Sequence, residues 1–184
     1  MSALNNREAY TIGHSTRTID DFLSILDNWK IKAIADVRTI PRSRHNPQFN
    51  KETLPHILKS ADIQYAHMPG LGGLRRTRPD SINTGWRNAS FRGFADYMQT
   101  REFVKHLQPL IVISKTERTA IMCAEAVPWR CHRSLIADAL TVRRFVVWHI
   151  MGAANCRPHV LTLWAKTNGV KIWYPDQPIE GPAI

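Results

Sequence analysis

The sequence predicts a three-layer α/β fold, in which a mostly parallel sheet is covered by helices on both faces. Short apolar runs of strand length alternate with amphipathic segments that have helical spacing. Reactive side chains directly follow several of these runs, as is typical of strand ends in parallel sheets. No internal repeat or linker interrupts the pattern. We therefore expect residues 1–184 to form a single domain, with a core over about 10–150 and a looser extension over 151–184.

The first half of the chain contains three predicted strands, Tyr10–Gly13, Ile31–Val37 and Ile63–Met68. After the first strand, Thr18 precedes apolar residues at helical spacing from Ile19 to Trp29, with acidic residues in the first turn. The second strand leads into a polar loop with two prolines. That loop is followed by a short helix that we expect Asn50 or Thr53 to cap.

The second half continues the alternation and then becomes less regular. An arginine-rich loop from Leu74 to Ser90 precedes a helical pattern over Phe91 to Leu107, in two pieces. Two further strands are predicted, Thr119–Ala124 and Phe145–Ile150, with a helix between them. In the extension we predict a helix over Val160–Lys166 capped by Gly169, and then a strand over Val170–Tyr174.

Composition limits the classes of function. No apolar run approaches the length of a membrane span, Met1–Tyr10 lacks the apolar centre of a secretory signal, and the three cysteines are unevenly spaced. We therefore expect a cytoplasmic protein with reduced thiols and no membrane partner. The formal net charge is +10, and the segment from Val37 to Phe94 holds ten Lys or Arg against three acidic residues. Such clustering favours a polyanionic partner, although a basic surface also serves solubility alone.

Polar groups follow three of the predicted strands, as Gly13-His14-Ser15, Asp36-Val37-Arg38 and Cys123-Ala124-Glu125. The carboxyl ends of parallel strands share one edge of the sheet, so we expect one crevice lined by His14, Ser15, Asp36, Arg38, Cys123 and Glu125. Cys131, His132 and Arg133 then open the predicted helix, whose first N–H groups favour anions.

Cys123 has two interpretations. A thiol between a strand and a helix can be activated by the helix start and by nearby arginines, as in cysteine phosphatases and sulfurtransferases. Six residues separate Cys123 from Arg130, one more than in the phosphatase loop, and the segment lacks the glycines that let backbone amides wrap an oxyanion. A small buried thiol beside a binding site is therefore the alternative.

Metal binding is a further possibility, because Cys123, Glu125, Cys131 and His132 are all ligand types. The spacing argues against it, since adjacent residues such as Cys131 and His132 seldom bind one ion together. We therefore expect no metal and no other cofactor.

Proton transfer is another possibility. His14, Asp36 and Glu125 are side chains that can act as general acids or bases in a crevice. Asp36 has an equally plausible structural role, in a buried ion pair with Arg38 or Arg133.

A basic flank lies between these motifs and consists of Arg42, Arg44, Arg75, Arg76, Arg78, Arg87 and Arg92. Four aromatic residues, Phe49, Trp86, Phe91 and Tyr97, are interleaved with it. Bases stack on aromatic rings while arginines contact phosphates, so the mixture suits a nucleotide or a single strand. Phe49, Phe91 and Tyr97 are equally good core residues.

Taken together, the motifs resemble the family catalogued as domain of unknown function number 488. They are Gly13-His14-Ser15, Asp36-Val37-Arg38, Pro41-x-Ser43-Arg44-x-Asn46-Pro47-x-Phe49-Asn50, Leu71-Gly72-Gly73, Gly93–Met98, and Cys123-Ala124-Glu125 through Cys131-His132-Arg133. The resemblance spans roughly Tyr10 to Ile150. It implies one α/β domain of bacterial or archaeal type and implies no particular reaction. The characteristic residues correspond to His14, Ser15, Asp36, Arg38, Asn46, Cys123, Glu125, Cys131, His132 and Arg133.

We therefore expect a phosphate-bearing small molecule, such as a nucleotide, or nucleic acid in the crevice. The residues predicted to bind it are Ser15, Arg38, Arg42, Arg44, Asn46, Cys131, His132 and Arg133. The catalytic candidates are His14, Asp36, Cys123 and Glu125, and catalysis would make the protein a hydrolase or transferase. The alternatives are a non-catalytic nucleic-acid-binding module and a thiol- or metal-dependent enzyme that uses Cys123.

Overall fold

A six-stranded, mostly parallel sheet forms the middle layer of the protein in a computed structural model that describes residues 7–176. The remaining residues, which include most of the Met1–Tyr10 segment considered above as a signal, lie outside the described residues. The strands are β1 (Glu8–Gly13), β2 (Ala33–Asp36), β3 (Gln64–His67), β4 (Thr119–Cys123), β5 (Val146–Gly152) and β6 (Asn155–Pro158). Their order across the sheet is β3-β2-β4-β1-β5-β6, and β6 alone runs antiparallel to its neighbour.

Helices cover both faces of this sheet, which confirms the predicted three-layer α/β fold. One face carries α1 (Ile19–Asn28) and α2 (Leu54–Ser60), and the other carries α3 (Ala89–Met98), α4 (Arg101–Thr116) and α5 (Arg133–Thr141). Alternating strand residues supply the two cores, so that Ile12 packs in the α1/α2 core while Ala9 packs in the α3–α5 core. Across the described part of the chain, every helix is too short or too polar to span a lipid bilayer.

The predicted helix starts are largely confirmed. The side chain of Thr18 accepts a hydrogen bond from the backbone N–H of Asp21 and caps α1. The predicted break in the helical pattern is the junction between α3 and α4, where the Thr100 side chain accepts from the N–H of Phe103. Thr53 precedes α2 without a side-chain capping bond.

The arginine-rich loop between Leu71 and α3 is held in place by Asp96, a buried residue of that helix. Its carboxylate accepts hydrogen bonds from the Arg78 N–H (2.9 Å), the Ser81 hydroxyl (2.5 Å) and the Asn83 amide (2.8 Å). One buried carboxylate therefore fixes the middle of the loop, residues 78–83, against α3.

The predicted helix over Val160–Lys166 is wrong. This part of the chain leads instead into an antiparallel hairpin of β7 (Lys166–Asn168) and β8 (Lys171–Trp173). Gly169 has a φ of +59° and lies in the turn, not at a helix end. Asn168 pairs with Lys171, so the two-residue loop is Gly169-Val170, and a glycine with positive φ at the first loop position is typical of a type II′ hairpin turn. The predicted strand over Val170–Tyr174 is confirmed as β8.

Candidate ligand-binding site at the strand ends

The three polar strand ends meet at one edge of the sheet, because β4 lies between β1 and β2. Gly13 pairs in register with Cys123, and Asp36 with Met122. Just beyond the strands, the N–H of His14 donates to the Cys123 carbonyl at 3.0 Å, and the N–H of Ser15 donates to the Ala124 carbonyl at 2.9 Å. Strand order and register therefore bring together the segments that the sequence predicted to converge.

Asp36 and Arg38 form a buried ion pair at this edge. Arg38 Nη2 lies 2.6 Å from Asp36 Oδ2, and Arg38 Nε lies 2.9 Å from Oδ1. The hydroxyl of Tyr65 donates to Asp36 Oδ2 at 2.7 Å, and the Arg38 N–H donates to Oδ1 at 3.1 Å. Four donors thus hold the Asp36 carboxylate, which favours the structural interpretation of this residue over proton transfer.

His14 extends the same network as a neutral imidazole. Burial, with a further contribution from the charge of Arg38, lowers its pKa to about 4. Arg38 Nη1 can only donate, so His14 Nε2 accepts at 3.0 Å and Nδ1 donates to the Ser15 carbonyl at 2.8 Å. The ring also stacks on Phe49 at a centroid separation of 4.2 Å. His14 therefore orients Arg38, and a role as general base would require that bond to break.

Cys123, Cys131 and His132 form a second group, which we call the thiol–imidazole cluster. One sulfur or nitrogen atom from each residue lies within 4.8 Å of those of the other two. Cys131 Sγ is 3.6 Å from His132 Nδ1. Buried Arg133 donates from Nε to Cys131 Sγ at 3.4 Å and from Nη2 to the Glu125 carbonyl.

The two thiols of this cluster share a hydrogen bond and have opposite pKa shifts. The bond from Cys123, together with contacts from His132 and Arg133, lowers the pKa of Cys131. The same bond, together with burial, raises the pKa of Cys123. Cys131 therefore has the greater thiolate character, whereas Cys123 was the residue predicted as a nucleophile, and that role stays a prediction.

A cavity of about 370 Å³ opens where the two groups meet, and we call it the strand-end pocket. Its wall includes Arg38, Glu125, Arg130, Phe91 and all three residues of the thiol–imidazole cluster. A larger depression of about 730 Å³ lies beside Lys32 and Gln64, at the amino ends of β2 and β3. We assign the candidate site to the smaller cavity because the convergent reactive groups line it.

Of the remaining predicted residues, Glu125 lines the pocket, whereas the others lie away from its wall. Glu125 is exposed, and its carboxylate accepts from the Val127 N–H. Ser15 is half-buried with a φ of +50°. Within residues 7–176, the pocket wall does not include Ser15, Arg42, Arg44, Asn46 or Arg133. The Asn46 carbonyl instead accepts from Phe49 in a short turn.

The interleaved aromatic residues are mostly part of the core. Trp86 packs against Phe91, Trp164 and Tyr174, and the Arg75 guanidinium lies 3.7 Å from the ring centre of Tyr97. Phe91 is half-buried and lines the strand-end pocket, so it alone of the four is available there to a ligand.

Sequence reasoning did not assign Gly73 or Tyr65 to the site. A Cβ at Gly73 would lie 2.6 Å from His132 Nδ1, so glycine makes room for the imidazole. The Leu71-Gly72-Gly73 motif was the signal for this close approach, whereas Tyr65 carried no signal beyond its place in a strand.

Residues 18–140 match the family described as "Domain of unknown function DUF488". The matched range includes Asp36, Arg38 and the thiol–imidazole cluster. Searches among curated proteins and among solved structures gave no match. Because the family match covers well over half of the sequence and agrees with the motifs at the strand ends, the chain belongs to the DUF488 family.

Proposed function

We propose that the strand-end pocket binds a phosphate-bearing ligand of nucleotide size, or the phosphates of a nucleic-acid strand that enters it. The observation that carries this proposal is the position of Arg130. This residue is exposed at the pocket wall, and no acceptor for its guanidinium is found among residues 7–176. A free guanidinium on a concave surface is suited to a bidentate contact with phosphate.

The start of α5 adds to this preference for anions. The helix begins at Arg133, and His132 precedes it without a side-chain capping bond. The first N–H groups of a helix and its dipole favour negative charge. His132 lines the pocket, so this helix start lies beside the cavity.

The size of the pocket favours a small ligand. A volume of about 370 Å³ lies at the low end of the range of about 300–1,000 Å³ for small-molecule sites. Phe91 offers a half-buried ring at the wall, on which a base can stack. Arg42 and Arg76 are exposed and follow the pocket residues Ile40 and Leu74 by two positions in the sequence, which adds positive charge to these two segments.

Charge substitutions at the pocket test the proposal with fluorescent ATP and a labelled single-stranded oligonucleotide as probes. Arg130→Gln should weaken binding by about 10-fold, the loss expected for one charge-assisted hydrogen bond. Glu125→Gln should strengthen it, because an exposed carboxylate at the wall repels phosphate. Arg157→Gln is the matched control, since Arg157 is exposed on β6 away from the pocket.

Fluorescence anisotropy at several salt concentrations provides the measurement. If the probes bind through their phosphates, the logarithm of the binding constant should fall linearly with the logarithm of the salt concentration. Arg130→Gln should reduce the slope of that line. Binding of neither probe, or equal effects of Arg130→Gln and Arg157→Gln, would refute the proposal.

A further inference from the structure

The thiol–imidazole cluster has the dimensions of a metal site. For zinc, typical bond lengths of about 2.3 Å to sulfur and about 2.0–2.1 Å to nitrogen place neighbouring tetrahedral ligands about 3.6–3.8 Å apart. Cys131 Sγ and His132 Nδ1 are separated by 3.6 Å. The third ligand atom, from Cys123, lies within 4.8 Å of both.

The backbone conformation allows the neighbouring residues Cys131 and His132 to bind one ion, although adjacent residues seldom do so. Cys131 is extended, with φ −133° and ψ 145°, whereas His132 has helical angles of −56° and −12°. This change of conformation between neighbours lets both side chains approach Cys123, which two successive residues of one strand would not do.

The half-buried imidazole of His132 makes fewer hydrogen bonds than the buried histidines His14 and His149. Both ring nitrogens of His14 and of His149 have hydrogen-bond partners. In His132, Nδ1 contacts only the Cys131 sulfur, and no partner for the buried Nε2 is found among the described residues. Gly73 leaves open the space beside Nδ1 that a Cβ would fill.

Arg133 completes the surroundings of the cluster. Its Nε–H bond to Cys131 Sγ is the kind of outer contact that orients a metal-bound thiolate. Arg133 is buried beside Cys131. Its positive charge and the charge of the ion would together offset the negative charge of the two thiolates.

We propose that Cys123, Cys131 and His132 bind one divalent ion of the zinc class, with a fourth coordination position open to the strand-end pocket. Three protein ligands and one open position are the arrangement of catalytic zinc sites. Binding would release the thiol protons to solvent and form two metal–sulfur bonds and one metal–nitrogen bond, without any change of oxidation state. This proposal goes beyond the proposed function. It depends only on the three protein ligands, so it does not require the strand-end pocket to bind phosphate.

Metal titration of the reduced, chelator-treated full chain tests this proposal. We expect one Co²⁺ per chain, with the sulfur-to-cobalt charge-transfer bands and visible bands of tetrahedral thiolate coordination, and its displacement by Zn²⁺. Cys123→Ser and Cys131→Ser should each lower zinc affinity by more than about 100-fold, because loss of an outer-shell partner already costs about 10–100-fold. Gly73→Ala should also weaken binding, by displacing His132.

Cys156→Ser is the matched control, because Cys156 is a half-buried thiol on β6 outside the cluster. It should bind metal as the unmodified chain does. Circular dichroism of the metal-free variants separates loss of a ligand from loss of the fold, and His132→Asn provides a third ligand variant if a serine variant unfolds. Absence of stoichiometric binding by the unmodified chain, a cobalt spectrum without thiolate bands, or equal affinities of the Cys131→Ser and Cys156→Ser variants would each overturn the proposal.

Discussion

Asp36 and Arg38 show how the site depends on single residues. The same residue types at the same spacing occur at Arg78 and Asp80, and both pairs make two close hydrogen bonds. The Asp36–Arg38 side chains are 0% and 8% exposed, whereas those of Asp80 and Arg78 are 69% and 57% exposed. Burial therefore distinguishes the first pair, because removing one partner leaves an uncompensated charge away from water.

Asp36→Asn should accordingly lower the free energy of unfolding by about 3–5 kcal/mol, the loss expected when a buried ion pair is broken. Asp80→Asn should have little effect, because solvent screens an exposed pair. Urea denaturation followed by circular dichroism measures both changes. Equal stability of the two variants would show that Asp36 does not hold Arg38 in the way described.

At the scale of elements, the β7–β8 hairpin contains a short sequence pattern that is compatible with two different structures. Glycine after a polar residue is typical both of a helix end and of a tight hairpin turn. The choice between them depends on contacts distant in sequence, since Ile172 and Tyr174 at the end of the hairpin are buried in the core that α3, α4 and α5 cover. The sequence of residues 160–169 by itself does not show those contacts.

The turn conformation makes Gly169 sensitive to substitution. Gly169→Ala should destabilise the protein by about 1–2 kcal/mol, because an L-residue at a φ of +59° brings its Cβ close to the backbone. Gly152→Ala is the control, since nothing lies within 4 Å of a Cβ built there. Thermal melts compare the two variants, and a lower melting temperature of the Gly152 variant would contradict this assignment.

At the scale of the whole molecule, one buried polar network joins the sheet, α5 and the C-terminal segment. Asp138 on α5 accepts from the hydroxyls of Thr162 and Tyr174 and contacts His159 Nε2 at 2.8 Å. The chain of contacts continues from His159 to His149 and from His149 to Thr11. These bonds attach the residues after β6 to the layers that form the strand-end pocket.

Protonation of His149 should weaken this attachment in acid. Burial mainly, with contributions from His159 and Arg133, lowers its pKa from 6.5 to about 4. The unfolded chain binds this proton as the pH falls below about 6.5, whereas the folded chain resists it until about 4, so folding stability falls across that window. A shift of this size corresponds to a loss of about 3 kcal/mol.

Urea unfolding at several pH values measures this effect. His14 has a shift of the same direction and adds its own contribution, so His149→Gln should remove only part of the pH dependence. His56→Gln, at an exposed position on α2, should leave it unchanged. If the pH dependence of stability were the same in the His149 variant, His149 would not be a cause of the stability loss in acid.

Periodicity along the chain was sufficient to predict the alternating strands and helices, because apolar spacing reflects which faces of an element are buried. It also predicted that His14, Asp36 and Cys123 share one edge, since parallel strands end on the same side of a sheet. It did not reveal that Asp36-x-Arg38 is buried while Arg78-x-Asp80 is exposed, that Cys131 and His132 turn together toward Cys123, or that Gly169-Val170 closes a hairpin. Burial, strand order and side-chain direction depend on contacts between distant segments, and those contacts exist only once the layers have packed.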